Sequence, residues 1–183
     1  MTVWTIGHST RESDAFVALL QRERIERLWD VRAFPMSRRY PHFNRETLSV
    51  TLREVGIDYE HAPQLGGRRS LPKTAPPSAW RNAGFKAYAA YMATDEFRTA
   101  LAGLRRAAAE KRTTIMCAEA VHWRCHRGLI SDALVAAGDE VLHIGDSGVT
   151  PHALTSFAVV SDGEVRYPPE GDDGQLTLLA GAD

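Results

Sequence analysis

Both cysteines of the chain fall in one stretch, MCAEAVHWRCHRGLIS, residues 116–131. Around Cys117 and Cys125 stand Glu119, His122, Arg124, His126 and Arg127, so thiol, carboxylate, imidazole and guanidinium groups share a few turns of chain. A thiol at a helix start beside cations gives up its proton readily and becomes a nucleophile or a redox group. Cys125 meets that description, because CHRGLISDALVAAG has helical spacing and closes on Gly138. His126, His8 or Glu119 could then move protons for it. Arg127 opposes the dipole of that helix by about 0.3–1 kcal/mol, and such a local conflict often marks a functional site. An external anion held by Arg127, by the unpaired N–H groups of the helix start and by Arg32 or Arg38 would resolve the conflict.

Other readings of the same residues stay open. Cys117, His122, Cys125 and His126 could be zinc ligands, although there is no CxxC pair and a strand-to-helix junction points such side chains apart, so no metal site is assigned. Cys117 in an apolar strand also reads as a small buried hydrophobe. A loop that wraps an oxyanion between a cysteine and an arginine six positions on is not formed. Arg124 follows Cys117 by seven positions and Arg127 follows Cys125 by two.

The elements that must position these groups follow from periodicity. VWTIGHS reads as a buried strand ending at Gly7, and Ser9 with Glu12 fits a capping box for the helix carrying Phe16, Leu19 and Leu20. RLWDVRAFP is a second strand stopped by Pro35, Asn44 caps the next helix, and IDYEHAP is a third strand. Residues 63–79 are rich in proline and form a long loop. A short aromatic helix follows over residues 80–92, and Thr94 caps a longer one. RTTIMCAEA and EVLHI are the fourth and fifth strands.

Strands and helices alternate, which predicts a single α/β domain with a mostly parallel sheet of about five strands and helices on both faces. Residues 1–150 form this domain, residues 151–168 add a β-hairpin around Asp162-Gly163 as an edge addition, and residues 169–183 form a frayed tail.

In such sheets ligands bind beyond the carboxyl ends of the strands. His8 and Ser9 follow strand one, Asp30 and Arg32 lie on strand two with Ser37 and Arg38 behind them, and Cys117 and Glu119 end strand four. All are expected at one rim. There Ser9, Asp30, Arg32, Ser37, Arg38, Cys117 and Arg127 would bind substrate. Each has a plainer role as well: Ser9 as a cap, Asp30 with Arg32 as a buried ion pair, and the loop arginines 38, 39, 68 and 69 as a solvated face.

The whole chain limits the function. With 44% hydrophobic and 25% charged residues and a net charge of -1, it is an ordinary globular sequence without a basic field, so an anionic partner must be bound locally. No apolar run is long enough for a bilayer and no targeting signal opens the chain, so a cytoplasmic protein without a membrane partner is expected, and its two cysteines are expected as thiols, a transient redox pair or ligands. Neither GxGxxG after strand one nor GxxxxGK[ST] occurs, and no cofactor is expected.

TIGHS, DVRAFPMSRRYPHF, LGG, FKAYAAYM, MCAEAVHWRCHRGLI and HI recur in this order between about residues 3 and 145, and together they resemble the DUF488 family of bacterial and archaeal proteins. The resemblance implies an α/β domain and a shared polar site that includes the CHR segment, and it assigns no role to any residue. The function expected from the residues is an enzyme acting on a small anionic or phosphate-bearing substrate, a nucleotide or nucleic acid among them, with a reactive Cys125. The alternatives are a phosphate-binding module without chemistry and a zinc protein using Cys and His.

Overall fold

The computed structural model describes residues 1–169. A six-stranded sheet forms its centre, built from β1 (Thr2–Gly7), β2 (Arg27–Asp30), β3 (Asp58–His61), β4 (Thr113–Cys117), β5 (Glu140–Gly145) and β6 (Gly148–Pro151) in the order β3-β2-β4-β1-β5-β6. The first five strands run parallel and β6 is antiparallel to β5. β4 is buried along its whole length and β1 over all but Thr2, the pattern of central strands covered on both faces. Helices α1 (Ser13–Arg22) and α2 (Arg45–Glu54) cover one face, where Phe16, Leu20, Leu48 and Leu52 pack on Trp4, Ile6, Leu28 and Met116. α3 (Ala83–Met92), α4 (Asp95–Glu110) and α5 (Arg127–Ala136) cover the other, packing on Val3, Trp29, Ile115 and Val141. Asn82 and Thr94 cap α3 and α4 by accepting from backbone N–H groups of the first turn.

The hairpin of β7 (Val159–Ser161) and β8 (Glu164–Arg166) forms a separate two-stranded sheet, with Asp162 and Gly163 both at positive φ in its turn. It therefore does not extend the main sheet. The edge addition is β6, which returns from β5 after a turn of two residues. Ser9 does not cap α1: it sits at φ 53 with its N–H bonded to the Ala118 carbonyl, and Glu12 takes the cap position. Asn44 does stand at the start of α2, but its side-chain oxygen accepts from Ser37 N–H. β2 ends at Asp30, well before Pro35, because Arg32 turns back onto Asp30. Of the expected tail, only residue 169 lies within the described residues.

β1 and β4 are neighbours, yet α1 leaves β1 over one face and α5 leaves β4 over the other. Their carboxyl ends therefore open a crevice at a switch point of the topology, the usual place for a ligand in open parallel sheets. The two strand ends are tied there by His8 N–H to Cys117 O at 2.9 Å and Ser9 N–H to Ala118 O at 3.0 Å. Gly7 is required at this junction, since a Cβ on it would stand 1.8 Å from the Glu119 carbonyl oxygen.

Candidate functional site

The sheet divides the expected rim into two clusters. On the α5 face, Cys117 Sγ and Cys125 Sγ lie 2.7 Å apart, both buried and both free thiols. Cys117 ends β4, and a 3-10 turn, His122–Arg124, brings the chain back so that Cys125 faces it. Arg127 is only 2% exposed. Its Nε donates to Cys117 Sγ at 2.9 Å, one terminal nitrogen donates to Thr5 Oγ1 at 3.0 Å, and the other donates to the Glu119 and Ala120 carbonyls. No carboxylate pairs with this buried cation among the described residues. Burial opposes ionisation of Cys117, but the hydrogen bond from Cys125 and the Arg127 charge outweigh it and hold its pKa at about 7, below the ordinary 9.0. Cys125 moves the other way, pushed well up by its hydrogen bond to Cys117 and by burial. The two thiols titrate as one pair beside Arg127, and these opposite directions favour the negative charge on Cys117 and the proton on Cys125.

His126 stands behind Cys125, with Nδ1 3.3 Å from its sulfur and Nε2 3.0 Å from the Val31 carbonyl. Since a carbonyl only accepts, Nε2 carries the proton and Nδ1 presents a lone pair to the thiol. Burial lowers its pKa to about 4 and keeps it neutral. Gly67 lies against this ring, where a Cβ would come within 2.5 Å of Nδ1, which gives the LGG stretch a packing role at the site.

On the α1/α2 face, Arg32 binds Asp30 through two nitrogens, the closer pair at 2.5 Å, and also donates to the Phe43 carbonyl. Tyr59 OH donates to Asp30 at 2.7 Å. His8 stacks on Phe43 at 4.2 Å, with Nε2 3.3 Å from Arg32 and Nδ1 2.9 Å from the Ser9 carbonyl, and burial with the Arg32 charge lowers its pKa to about 4. Arg32 is therefore committed to its own carboxylate, and the pairing of Arg32 with Arg127 around one anion is not assembled. Asp30 turns to Arg32 and Tyr59 rather than to an imidazole.

The remaining predicted residues take simpler places. Glu119 offers Arg127 its backbone carbonyl, and residue 119 is exposed. The Ser37 hydroxyl accepts from Tyr40 N–H, closing the loop before α2. Arg38 is exposed. Arg69 stacks on Tyr91 at 3.6 Å and donates to three backbone carbonyls, so it is fixed as a loop brace. The zinc set is not formed among the described residues: His122 groups with His143 and His152, without a cysteine. Thr5, His143, His152 and Asp132 are polar and close to this site, and no spacing motif singles them out. The one signal was a polar residue in otherwise apolar strands, at Thr5 and His143.

A cleft of about 430 Å³ between β3 and α4 carries Glu60, Asp95 and Glu96 and no cysteine or arginine, so it would repel an anion. No described helix is long and apolar enough to cross a membrane.

Fold and site together define a single α/β domain with a mostly parallel sheet and a buried thiol pair at its switch point. The chain belongs to the DUF488 family, whose model, a domain of unknown function, matches residues 12–134. No curated protein and no solved structure matches it. The matched segment holds both cysteines and Arg127, while β1 precedes it and His143 and His152 follow it.

Proposed function

We propose that the protein is a cysteine-dependent enzyme whose reactive sulfur is Cys117, acting on a small anionic substrate. The observation that carries this reading is Arg127, a buried guanidinium that meets no carboxylate among the described residues and places Nε 2.9 Å from Cys117 Sγ. A buried cation without a counter-charge costs several kcal/mol, and a Cys117 thiolate removes that cost. In the reaction, a bond forms from Cys117 Sγ to the electrophilic atom of the substrate as the bond to the leaving group breaks. Cys125, the thiol in contact with that sulfur, supplies the proton to the leaving group, and solvent restores it, while the neutral His126 ring holds Cys125 from behind. Arg38, Arg39, Arg68 and Arg124 are exposed on the rim loops without carboxylate partners among the described residues, which supports an anionic or phosphate-bearing substrate, a nucleotide or nucleic acid included. With Cys117 2% exposed, the electrophile must be small or carried on a slender arm.

The 2.7 Å sulfur contact favours one second reading, a dithiol–disulfide centre. With a peroxide as oxidant, the Cys117 thiolate would break the O–O bond and become a sulfenic acid. Cys125 would then displace water from it to give the disulfide.

Alkylation across pH with neutral iodoacetamide and anionic iodoacetate tests both. A single fast thiol titrating near pH 7, mapped to Cys117 and favouring iodoacetate relative to a free thiol, supports the enzyme reading. Slow, ordinary reaction at both cysteines reduces the site to a binding or structural one. An internal disulfide formed by stoichiometric peroxide selects the second reading.

A further inference from the structure

Three imidazoles meet beside the thiol site: His122 in the 3-10 turn after β4, His143 in β5, and His152 just past β6. One nitrogen of each lies within 4.8 Å of the others. His143 Nε2 and His152 Nδ1 are 2.9 Å apart, with their rings at 82°, while His122 stacks on His143 at 3.5 Å. The outer nitrogens of the two inner rings are held from behind. His143 Nδ1 lies 2.7 Å from Thr5 Oγ1, and His152 Nε2 donates to Asp132 Oδ1 at 2.9 Å. Asp132 is fully buried and fixed by the Thr155 N–H, the Thr155 hydroxyl and the Tyr167 hydroxyl. A ring whose outer N–H is anchored on a buried carboxylate, with its inner nitrogen turned toward other imidazoles, is the usual preparation of a histidine ligand. The His122 ring has no hydrogen bond among the described residues and is half-buried, so it can turn without losing one.

We propose that His143 Nε2, His152 Nδ1 and a ring nitrogen of His122 bind a divalent transition-metal ion of the zinc class, with a fourth position open. Three neutral imidazoles suit zinc, cobalt, nickel or copper and do not suit calcium or magnesium, which take oxygen ligands. Metal–nitrogen distances of about 2.0–2.1 Å set tetrahedral ligand atoms about 3.3 Å apart. His143 and His152 need only part slightly, and His122 swings out of its stack. On binding, His143 moves its proton from Nε2, where the contact with His152 Nδ1 places it, to Nδ1 facing Thr5 Oγ1, and His152 keeps its proton on Nε2 toward Asp132. Only His122 is shared with the Cys/His set read from the sequence. Two of the three ligands lie beyond the family-matched segment, so the site is not a property of that segment alone.

Protein stripped with a chelator and titrated with Co²⁺ provides the test. One ion per chain with the visible bands of tetrahedral cobalt is expected, without thiolate charge-transfer absorption. His122→Ala, which removes no hydrogen bond, should weaken Co²⁺ binding by at least 10-fold with an unchanged melting curve. Asp132→Asn should weaken it by about 10–100-fold. The Cys117→Ser/Cys125→Ser double variant should bind as the parent does. No Co²⁺ uptake, unchanged affinity in His122→Ala, or charge-transfer bands abolished in the double cysteine variant would each overturn the site.

Discussion

The two faces of the sheet at the β1/β4 crevice hold similar inventories, each with a buried arginine and a histidine, and put them to opposite use. On the α1/α2 face Arg32 meets Asp30 and the Phe43 carbonyl, and Tyr59 completes the carboxylate. On the α5 face Arg127 meets carbonyls, a hydroxyl and a sulfur. The first cation is paired with a carboxylate. The second is neutralised only when Cys117 gives up its proton. A buried arginine is thus a brace or an activator according to what its partner can do, and residue type alone does not distinguish them.

Substitutions at the two arginine sites should separate these roles. Asp30→Asn strands Arg32 in the interior and should cost about 3–5 kcal/mol in urea unfolding, with the Cys117 titration unmoved. A shift of that thiol would mean the two faces are coupled after all. Arg127→Met should do the reverse: thiol reactivity at pH 7 falls by up to about 100-fold as the Cys117 pKa returns toward 9, with a smaller loss of stability than Asp30→Asn. If stability drops more than reactivity, Arg127 is a brace like Arg32.

His8 gives the comparison a pH axis. Its folded pKa of about 4 lies below the ordinary 6.5, so the folded protein resists a proton that the unfolded chain accepts. Stability should be intact above pH 6.5 and fall between 6.5 and 4 by about 1.4 kcal/mol per pH unit for this group. A His8→Phe variant, melted over the same range, should show a shallower decline. Cys117 contributes with the opposite sense of charge: its stabilisation is complete above pH 9 and disappears as pH falls through 7. Smallest of all, Tyr59→Phe removes one hydrogen bond to a charged acceptor and should cost about 1.5–3 kcal/mol, leaving alkylation at Cys117 unchanged.

Much of the architecture was legible beforehand. The apolar runs of β1 and β4, the amphipathic stripe of α1, the Thr94 cap and the Asp162-Gly163 turn all act through neighbours in the chain, so local patterns report them. β6 was missed because it is short and exposed over most of its length, and it pairs only because the turn after Gly145 folds it back on β5. The cap at Ser9 failed for a long-range reason, a hydrogen bond to the loop after β4.

The sequence by itself determined that thiols, imidazoles and arginines would gather at the strand ends of one α/β domain, since periodicity places strands and strand ends collect loops. Which groups face each other was decided only by tertiary structure. Alternate residues of a strand point to opposite faces, and the faces are assigned by the direction of each crossover. Asp30 thereby goes to Arg32, and Thr5 and Cys117 go to Arg127. The crossover to β5 and the turn back into β6 bring His122, His143 and His152 together from a span of 31 residues with no motif among them. Whether a cysteine is an inert hydrophobe or a thiolate depends on that partnership, and the partner of Cys117 is ten positions away in sequence and 2.9 Å away in space.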